Sequence, residues 1–316
     1  MAIDEAMTAR QAEQPTSEPP RWRALLRELA VRPSRSKGQN FLTDRAIVGR
    51  IADAAQLQPG DTVIEIGPGL GILTAELIAR VGPTGRVIAV ELDRRLAAFV
   101  REEFAALPTL RLIEGNVLRL SPHELLAELP EAAPYAVVAN LPYNITSAVL
   151  RHFLDHPRRP TALTVLVQRE VAERIVARPP EMSVLAVAVQ FYGTPSIALR
   201  LAAGAFIPRP KVDSAAIRIA LHPTPSLPDA AIPAFFAVVA AGFGQKRKQL
   251  VNSLGAGLAL PRQAIEAATI AAGVAAERRA ETLDVAEWLR LHAAFAAASE
   301  RRDGMSAQDN TAGGVA

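Results

Sequence analysis

Thr62-Val63-Ile64-Glu65-Ile66-Gly67-Pro68-Gly69-Leu70-Gly71 decides how the rest of the chain reads. A β-branched apolar run breaks into three glycines at alternate positions, and a helical pattern, Leu70 to Val81, follows at once. This predicts a strand, Thr62 to Gly67, that ends in a tight turn feeding a helix. Glycine lets a backbone approach a ligand closely, and a helix start offers free N–H groups to an anion. A dinucleotide turn of the G-x-G-x-x-G type would need its third glycine where Ile72 stands, and no Gly-Lys-Ser/Thr follows to make a phosphate-cradling loop. The same residues also fit a plain strand-to-helix connection.

Outward from this turn the chain alternates. Arg86 to Asp93 reads as a strand, Arg94 to Leu107 as a helix, Leu110 to Asn116 as a strand, Tyr135 to Asn140 as a strand, Ile145 to His156 as a helix and Ala162 to Val167 as a strand. Strands that are nearly continuous apolar runs, each followed by an amphipathic helix, imply an α/β fold with a parallel sheet covered on both faces. The alternation stops near His222, where Pro223, Pro225, Pro228 and Pro233 crowd together as in a linker. Beyond it Ala234 to Phe243, Lys246 to Leu254, Arg262 to Ala272 and Val285 to Ala298 repeat apolar residues at helical spacing, and Asp284 with Glu287 makes a capping-box signature. The expected layout is a disordered leader over 1–29, the α/β domain over 30–222, a small all-helical domain over 223–300 and a disordered tail over 301–316.

Composition limits the function. With 316 residues, half of them apolar, the chain is long enough for one sizeable core and a smaller partner domain. The absence of cysteine excludes disulfides, a thiolate nucleophile, an iron–sulfur cluster and a Cys-ligated zinc, and suits a reducing cytosol. A net charge of +3 permits a polyanionic partner without requiring one. Acidic residues at Asp4, Glu5, Glu13 and Glu18 argue against a signal or transit peptide, and the longest apolar runs fall short of the ~20 residues that cross a bilayer. No membrane association is expected.

Three further positions could carry chemistry. Glu91 ends the second strand, beside the glycine turn, where a carboxylate can accept both hydroxyls of a ribose; alone, it also reads as a solvated acid at a strand end. Asn140-Leu141-Pro142-Tyr143 combines a side-chain amide, a main-chain carbonyl and an aromatic face, which suits a planar amine such as a nucleobase, although a strand turning into a helix would look the same. The run Lys246-Arg247-Lys248, and Arg32, Arg35 and Lys37, can meet phosphates or form a solvated face. His152 and His156 have the spacing of two metal ligands on a helix, but neither a Glu base nor a third ligand accompanies them, and Ser147 has no paired histidine. No metal site is expected.

Taken in order, Gly38-Gln39-Asn40-Phe41-Leu42, Glu65 to Gly71, Glu91, Asn140 to Tyr143, Gln168-Arg169-Glu170, Phe206 to Ser214, Gln245 to Leu250 and Arg279-Ala280-Glu281 resemble the motifs of the ribosomal RNA adenine dimethylase family. Members use S-adenosylmethionine to methylate adenine N6 in ribosomal RNA. Gly-Pro-Gly-Leu-Gly, Asn-Leu-Pro-Tyr and the Phe-x-Pro-x-Pro-Lys-Val-Asp-Ser segment resemble the branch acting on the small subunit, against the antibiotic-resistance branch acting on the large one. The resemblance implies a doubly wound, Rossmann-like methyltransferase domain with S-adenosylmethionine as cofactor. It implies a cofactor site at Asn40, Leu42, Gly67, Gly69, Glu91, Asn116 and Asn140, and catalysis by Asn140, Leu141, Pro142 and Tyr143 with Phe206, the two aromatics bracketing a flipped adenine. It further implies RNA contact through Lys246, Arg247 and Lys248, small-subunit 16S ribosomal RNA as partner, a monomer and a cytoplasmic location. Two departures stand out. The family has Asp where this chain has Asn116, so an amide oxygen would have to accept from the cofactor's amine, and Arg178 to Ser183 is shorter than the family's loop. The readings set against this one are a large-subunit methylase, a non-catalytic assembly factor and a nicotinamide oxidoreductase.

Overall fold

The computed structural model describes residues 24–31 and 40–312, with 299–312 described by their backbone. Most of the expected leader, the Gly38-Gln39 start of the first motif and the cations Arg32, Arg35 and Lys37 lie outside the described residues.

Strands that read as unbroken apolar runs form the centre of a seven-stranded sheet. In chain order the elements run β1 (Phe41–Leu42), α1 (Arg45–Ala54), β2 (Thr62–Ile66), α2 (Ile72–Val81), β3 (Arg86–Glu91), α3 (Arg94–Glu103), β4 (Leu110–Glu114), α4 (Pro122–Leu125), β5 (Ala136–Asn140), α5 (Thr146–Leu154) and β6 (Ala162–Gln168). There follow α6 (Arg169–Val176), α7 (Val184–Tyr192), β7 (Gly193–Leu201), β8 (Phe206–Ile207) and β9 (Ser214–Leu221). The sheet order is β4-β3-β2-β5-β6-β9-β7, while β1 pairs separately with β8. Four pairings, β2–β3, β2–β5, β3–β4 and β5–β6, are parallel, as the alternation predicts. Strand β9 runs against β6: Arg169 N donates to the Asp213 carbonyl at one end and Leu221 N to the Thr161 carbonyl at the other.

The order reverses between β2 and β5, so connections leave in opposite directions there and open a crevice at the strands' carboxyl ends. The glycines after β2 supply the turn. Gly67, Gly69 and Gly71 all have left-handed backbones, at φ +69°, +59° and +75°, a region in which side-chain-bearing residues are strained. A Cβ on Gly71 would also come within 2.6 Å of the Phe104 ring. Helix α2 therefore starts at Ile72, two residues later than its apolar pattern suggests.

The chain divides into two compact units. The first comprises Met1–His152, Ala162–Arg169 and Ala198–Arg218, and the second Phe153–Thr161, Glu170–Ile197 and Ile219–Ala316. In the first, Val63, Val87 and Val138 from adjacent strands meet Leu77 and Val81 of α2 in a fully buried layer. A helical turn at 24–28, within the stretch expected to be leader, buries Leu26, and with Val31 it packs on Phe41, Leu70 and Leu96.

In the second unit α8 (Ile232–Phe243), α9 (Leu250–Leu258), α10 (Arg262–Ala271) and α11 (Val285–Ala312) follow one another. Phe235 of α8 stacks on Phe191 of α7 at 4.7 Å between ring centres. The capping box forms as the sequence predicts, Glu287 N donating to Asp284 Oδ1 at 2.8 Å and Asp284 N to Glu287 Oε2 at 2.9 Å. Helix α11 runs to Ala312, beyond residue 301 where a disordered tail is expected. One helix start moves: Lys246 to Lys248 do not open α9. They sit in an exposed turn, Lys248 N donating to the Gln245 carbonyl, and the extended backbone of Gln249 delays the helix to Leu250.

Candidate active site

A cleft of about 150 Å³ lies at the carboxyl ends of β2, β3, β4 and β5, in the first unit. Asn40, Leu42, Gly67, Gly69, Glu91, Asn116 and Asn140, separated by up to a hundred residues in sequence, all line it, together with Leu141 and Pro142.

Glu91 is the last residue of β3 and is 6% exposed. Its Oε2 accepts from Gly69 N at 3.0 Å and its Oε1 from Asp93 N at 2.9 Å, so the turn and the strand end fix the carboxylate from both sides. Burial raises its pKa, and the backbone donors Asp93 and Gly69 draw it back down. Each oxygen keeps a further lone pair, which suits a vicinal diol. Beside it, the Cβ position of Gly67 meets nothing within 4 Å, so a side chain there would fill space that the glycine leaves clear.

Glu65 lies in β2 and is fully buried. Its Oε2 accepts from Thr74 Oγ1 at 2.7 Å, and its Oε1 has no hydrogen-bond partner. Burial pushes its carboxyl up to about 8, the Thr74 bond opposes the rise and the charge of Glu91 adds to it. Burial thus favours the protonated form of Glu65. In the sequence Glu65 stands out only as a charged residue inside an apolar strand, a signal that points to a buried carboxyl without assigning it a role.

The two asparagines of the cleft are held differently. Asn140, at the end of β5, donates through Nδ2 to the Asn40 carbonyl at 3.1 Å, which leaves Oδ1 as the acceptor. Asn116 caps the short turn Val117–Arg119 with Oδ1, accepting from Leu118 N at 3.0 Å. Because the group facing that amide is an N–H donor, the atom turned to it must be oxygen, and the atom left over is the donor Nδ2. The cap takes one lone pair of that oxygen, so a cofactor amine bonded to Asn116 Oδ1 would meet the second.

Pro142 starts the single turn Tyr143–Ile145, its carbonyl accepting from Ile145 N at 3.1 Å. Tyr143 is half-buried, and its hydroxyl lies 2.7 Å from Ser214 Oγ. Burial raises its phenol pKa and the Ser214 bond lowers it. Phe206 is placed differently from the expectation of an open stacking face. It is 3% exposed, aligned with Leu42 across the β1–β8 pair, and packed with Val48, Ile51 and Leu199 in the core. An apolar ring at a buried strand position gains more from packing there than from exposure.

Lys246, Arg247 and Lys248 are exposed in the second unit. His152 Nε2 lies 2.9 Å from the Leu120 carbonyl, and His156 Nδ1 accepts from Arg158 N at 3.0 Å, so each imidazole has a backbone partner. Among the described residues no helix is long and apolar enough to cross a membrane.

A buried carboxylate for a diol, a turn without side chains, and separate amide donor and acceptor fit a nucleoside-bearing cofactor beside a planar amine. Comparison with known proteins agrees. The family model described as "Ribosomal RNA adenine dimethylase" matches residues 32–297. The chain is 44% identical over 261 residues to the ribosomal RNA small subunit methyltransferase A of Dehalococcoides mccartyi, covering 83% of this chain and 88% of that protein. It is 42% identical to the protein of the same name from Moorella thermoacetica, over 85% of this chain and 95% of that one. Among solved structures, the 23S rRNA methyltransferase ErmE aligns with a TM-score of 0.65 and 32% identity, covering 81% of this chain and 99% of that one. A dimethyladenosine transferase from Plasmodium falciparum, at 22% identity and a TM-score of 0.66 over 79% of this chain and 95% of that one, shares the fold. The chain belongs to the ribosomal RNA adenine dimethylase family.

Proposed function

We propose that the protein transfers methyl groups from S-adenosylmethionine to N6 of two adjacent adenines near the 3′ end of small-subunit (16S) ribosomal RNA, yielding dimethyladenosines during ribosome biogenesis in the cytoplasm. The observation that carries the reading is the orientation of Asn140. With Nδ2 donating to Asn40, its Oδ1 is an acceptor beside Leu141 in the cleft.

The cofactor, when bound, supplies an electrophilic methyl group on a sulfonium. Glu91 would hold its ribose hydroxyls, Gly67 and Gly69 would leave room for its close approach, Leu42 and Asn40 would close one side, and Asn116 would meet its adenine. The target amine is a poor nucleophile because its lone pair is delocalised into the ring. Two acceptors, Asn140 Oδ1 and the Leu141 carbonyl, each taking one N6–H, hold the amine so that the lone pair turns out of the ring plane. No strong base is required beforehand, since N6 becomes acidic only as it gains positive charge. Extracting the base from RNA costs a few kcal/mol, and stacking on Tyr143 returns ~1–3 kcal/mol. Lys246, Arg247 and Lys248 would meet RNA phosphates. A monomer acting on the small ribosomal subunit, without a metal, completes the reading.

Identity favours the small-subunit enzymes, at 44% and 42%, over the 23S rRNA methyltransferase, at 32%. The test is labelled methyl transfer to undermethylated small subunits, large subunits and free RNA. Incorporation into two adjacent small-subunit adenines is expected; label in the large subunit supports the resistance-type alternative, and no label in any acceptor supports a non-catalytic assembly factor.

A further inference from the structure

Tyr143 stands in a single turn after Pro142, so no regular element fixes its ring. What holds it is a contact from far along the chain. Its hydroxyl lies 2.7 Å from Ser214 Oγ, and Ser214 is fully buried at the first position of β9. That strand start is itself braced. Asp213 Oδ1 accepts from Ala203 N at 3.1 Å, its Oδ2 pairs with Arg169 at 3.2 Å, and its carbonyl accepts from Arg169 N at 3.0 Å. The Ser214 hydroxyl is thus presented from a braced strand start to the one polar atom of the half-buried Tyr143 ring.

We propose that Ser214 is a positioning residue for methyl transfer: its hydrogen bond to the Tyr143 hydroxyl fixes the tilt of the aromatic face on which the target base rests. The proposal builds on the functional reading above and adds a residue to it. Ser214 does not touch substrate. It acts by removing ring orientations that would leave the base unstacked while Asn140 and Leu141 hold its amine. A tyrosine is then required at 143 for its hydroxyl as well as for its face, because phenylalanine offers the same stacking area with nothing to anchor it.

The test is a double-mutant cycle on the full chain, using small subunits, large subunits and free RNA as methyl acceptors. Ser214→Ala and Tyr143→Phe each break the bond and are expected to lower kcat about threefold to tenfold, the range of one neutral hydrogen bond. KM for RNA and the S-adenosylmethionine dissociation constant should stay at parental values. The double variant should be no slower than the worse single one, since both substitutions remove the same interaction. Ser214→Thr, which keeps the hydroxyl, should recover most of the rate. If Ser214→Ala does not fold, Tyr143→Phe, which removes one oxygen from a half-buried ring, still reads the bond. A parental kcat in Tyr143→Phe overturns the proposal, as does a double variant slowed by the product of the two single effects. A parent that methylates none of the acceptors sinks the functional reading and this proposal with it, whereas an active parent matched by Ser214→Ala sinks the proposal alone.

Discussion

Replacing Glu65 with glutamine isolates the energetic effect of one buried carboxyl. The residue is fully buried in β2, with Thr74 on one oxygen and no partner on the other. Its pKa rises from 4.5 to about 8, chiefly through burial. A carboxyl whose folded pKa is raised keeps its proton more tightly when folded, so its contribution to stability is complete below pH 4.5 and is lost as the pH climbs to about 8. At about 1.36 kcal/mol per pH unit, the loss between pH 5 and pH 8 is about 3 kcal/mol. Glu65→Gln keeps the shape and the acceptor for Thr74 but does not titrate. Its amide nitrogen takes the partnerless place that Oε1 holds in the parent, so that cost is shared and does not vary with pH. In urea denaturation at pH 5, 6, 7 and 8 the stability of the parent relative to the variant should therefore fall steadily, by about 3 kcal/mol over the range. The other titrating groups are common to both proteins and cancel in the comparison, apart from Glu91, whose charge acts on Glu65. Parallel stability curves across this range would show that Glu65 titrates near its ordinary value and that water reaches it.

Glu91→Ala removes an acceptor expected to face the ribose, and calorimetry should show S-adenosylmethionine binding weakened roughly tenfold to 150-fold, from ~1.5–3 kcal/mol for a charged hydrogen bond; unchanged affinity would move the ribose elsewhere. Asn116→Asp keeps the cap to Leu118 and replaces the amide nitrogen with a second acceptor, so S-adenosylmethionine should bind tighter by about 1 kcal/mol, somewhat under tenfold. Weaker binding by the Asp variant would mean that a ring nitrogen, and not the exocyclic amine, faces position 116. Neutralising Lys246, Arg247 and Lys248 together should reduce the log–log salt slope of RNA binding by ~0.7–0.9 for each phosphate that is no longer paired with a cation, leaving kcat at saturation unchanged; an intact slope would make the turn a solvated face.

The parallel core was legible because β2, β3, β5 and β6 are continuous apolar runs, and burial on both faces requires that composition. Strand β7 escaped notice for the opposite reason. It alternates between buried and exposed positions, contains Pro195, and stands last in the sheet order, where a missing N–H is tolerated. The start of α9 misled because Lys246 to Lys248 suit a helix as well as a turn; the extended backbone of Gln249 decides, and no side-chain cap marks it. At the site, motif residues could be named from spacing alone, but the state of each side chain depends on a distant partner. Asn140 meets Asn40 across a hundred positions, and Tyr143 meets Ser214 across 71. Phe206 shows the limit most clearly. An aromatic beside a site reads equally well as a stacking face or as core, and its pairing opposite Leu42 places it in the core.

The polarity of the cleft is set by backbone groups around it. Asn140 and Asn116 are the same residue type, one at the end of β5 and the other just after β4, both lining the cleft, yet the backbone engages opposite atoms of their amides. The difference lies in what each faces on its other side. A carbonyl, that of Asn40, can only accept, so it engages the Asn140 amide nitrogen and leaves the oxygen as an acceptor. An N–H, that of Leu118, can only donate, so it draws in the Asn116 oxygen and leaves the nitrogen. Asn40 directly precedes β1, a strand of two residues whose register against β8 is fixed where Leu42 meets Phe206. The burial of Phe206 therefore has a consequence at the site although its ring lies outside the cleft. By holding β1 against β8 it keeps the Asn40 carbonyl in place, and that carbonyl makes Asn140 an acceptor.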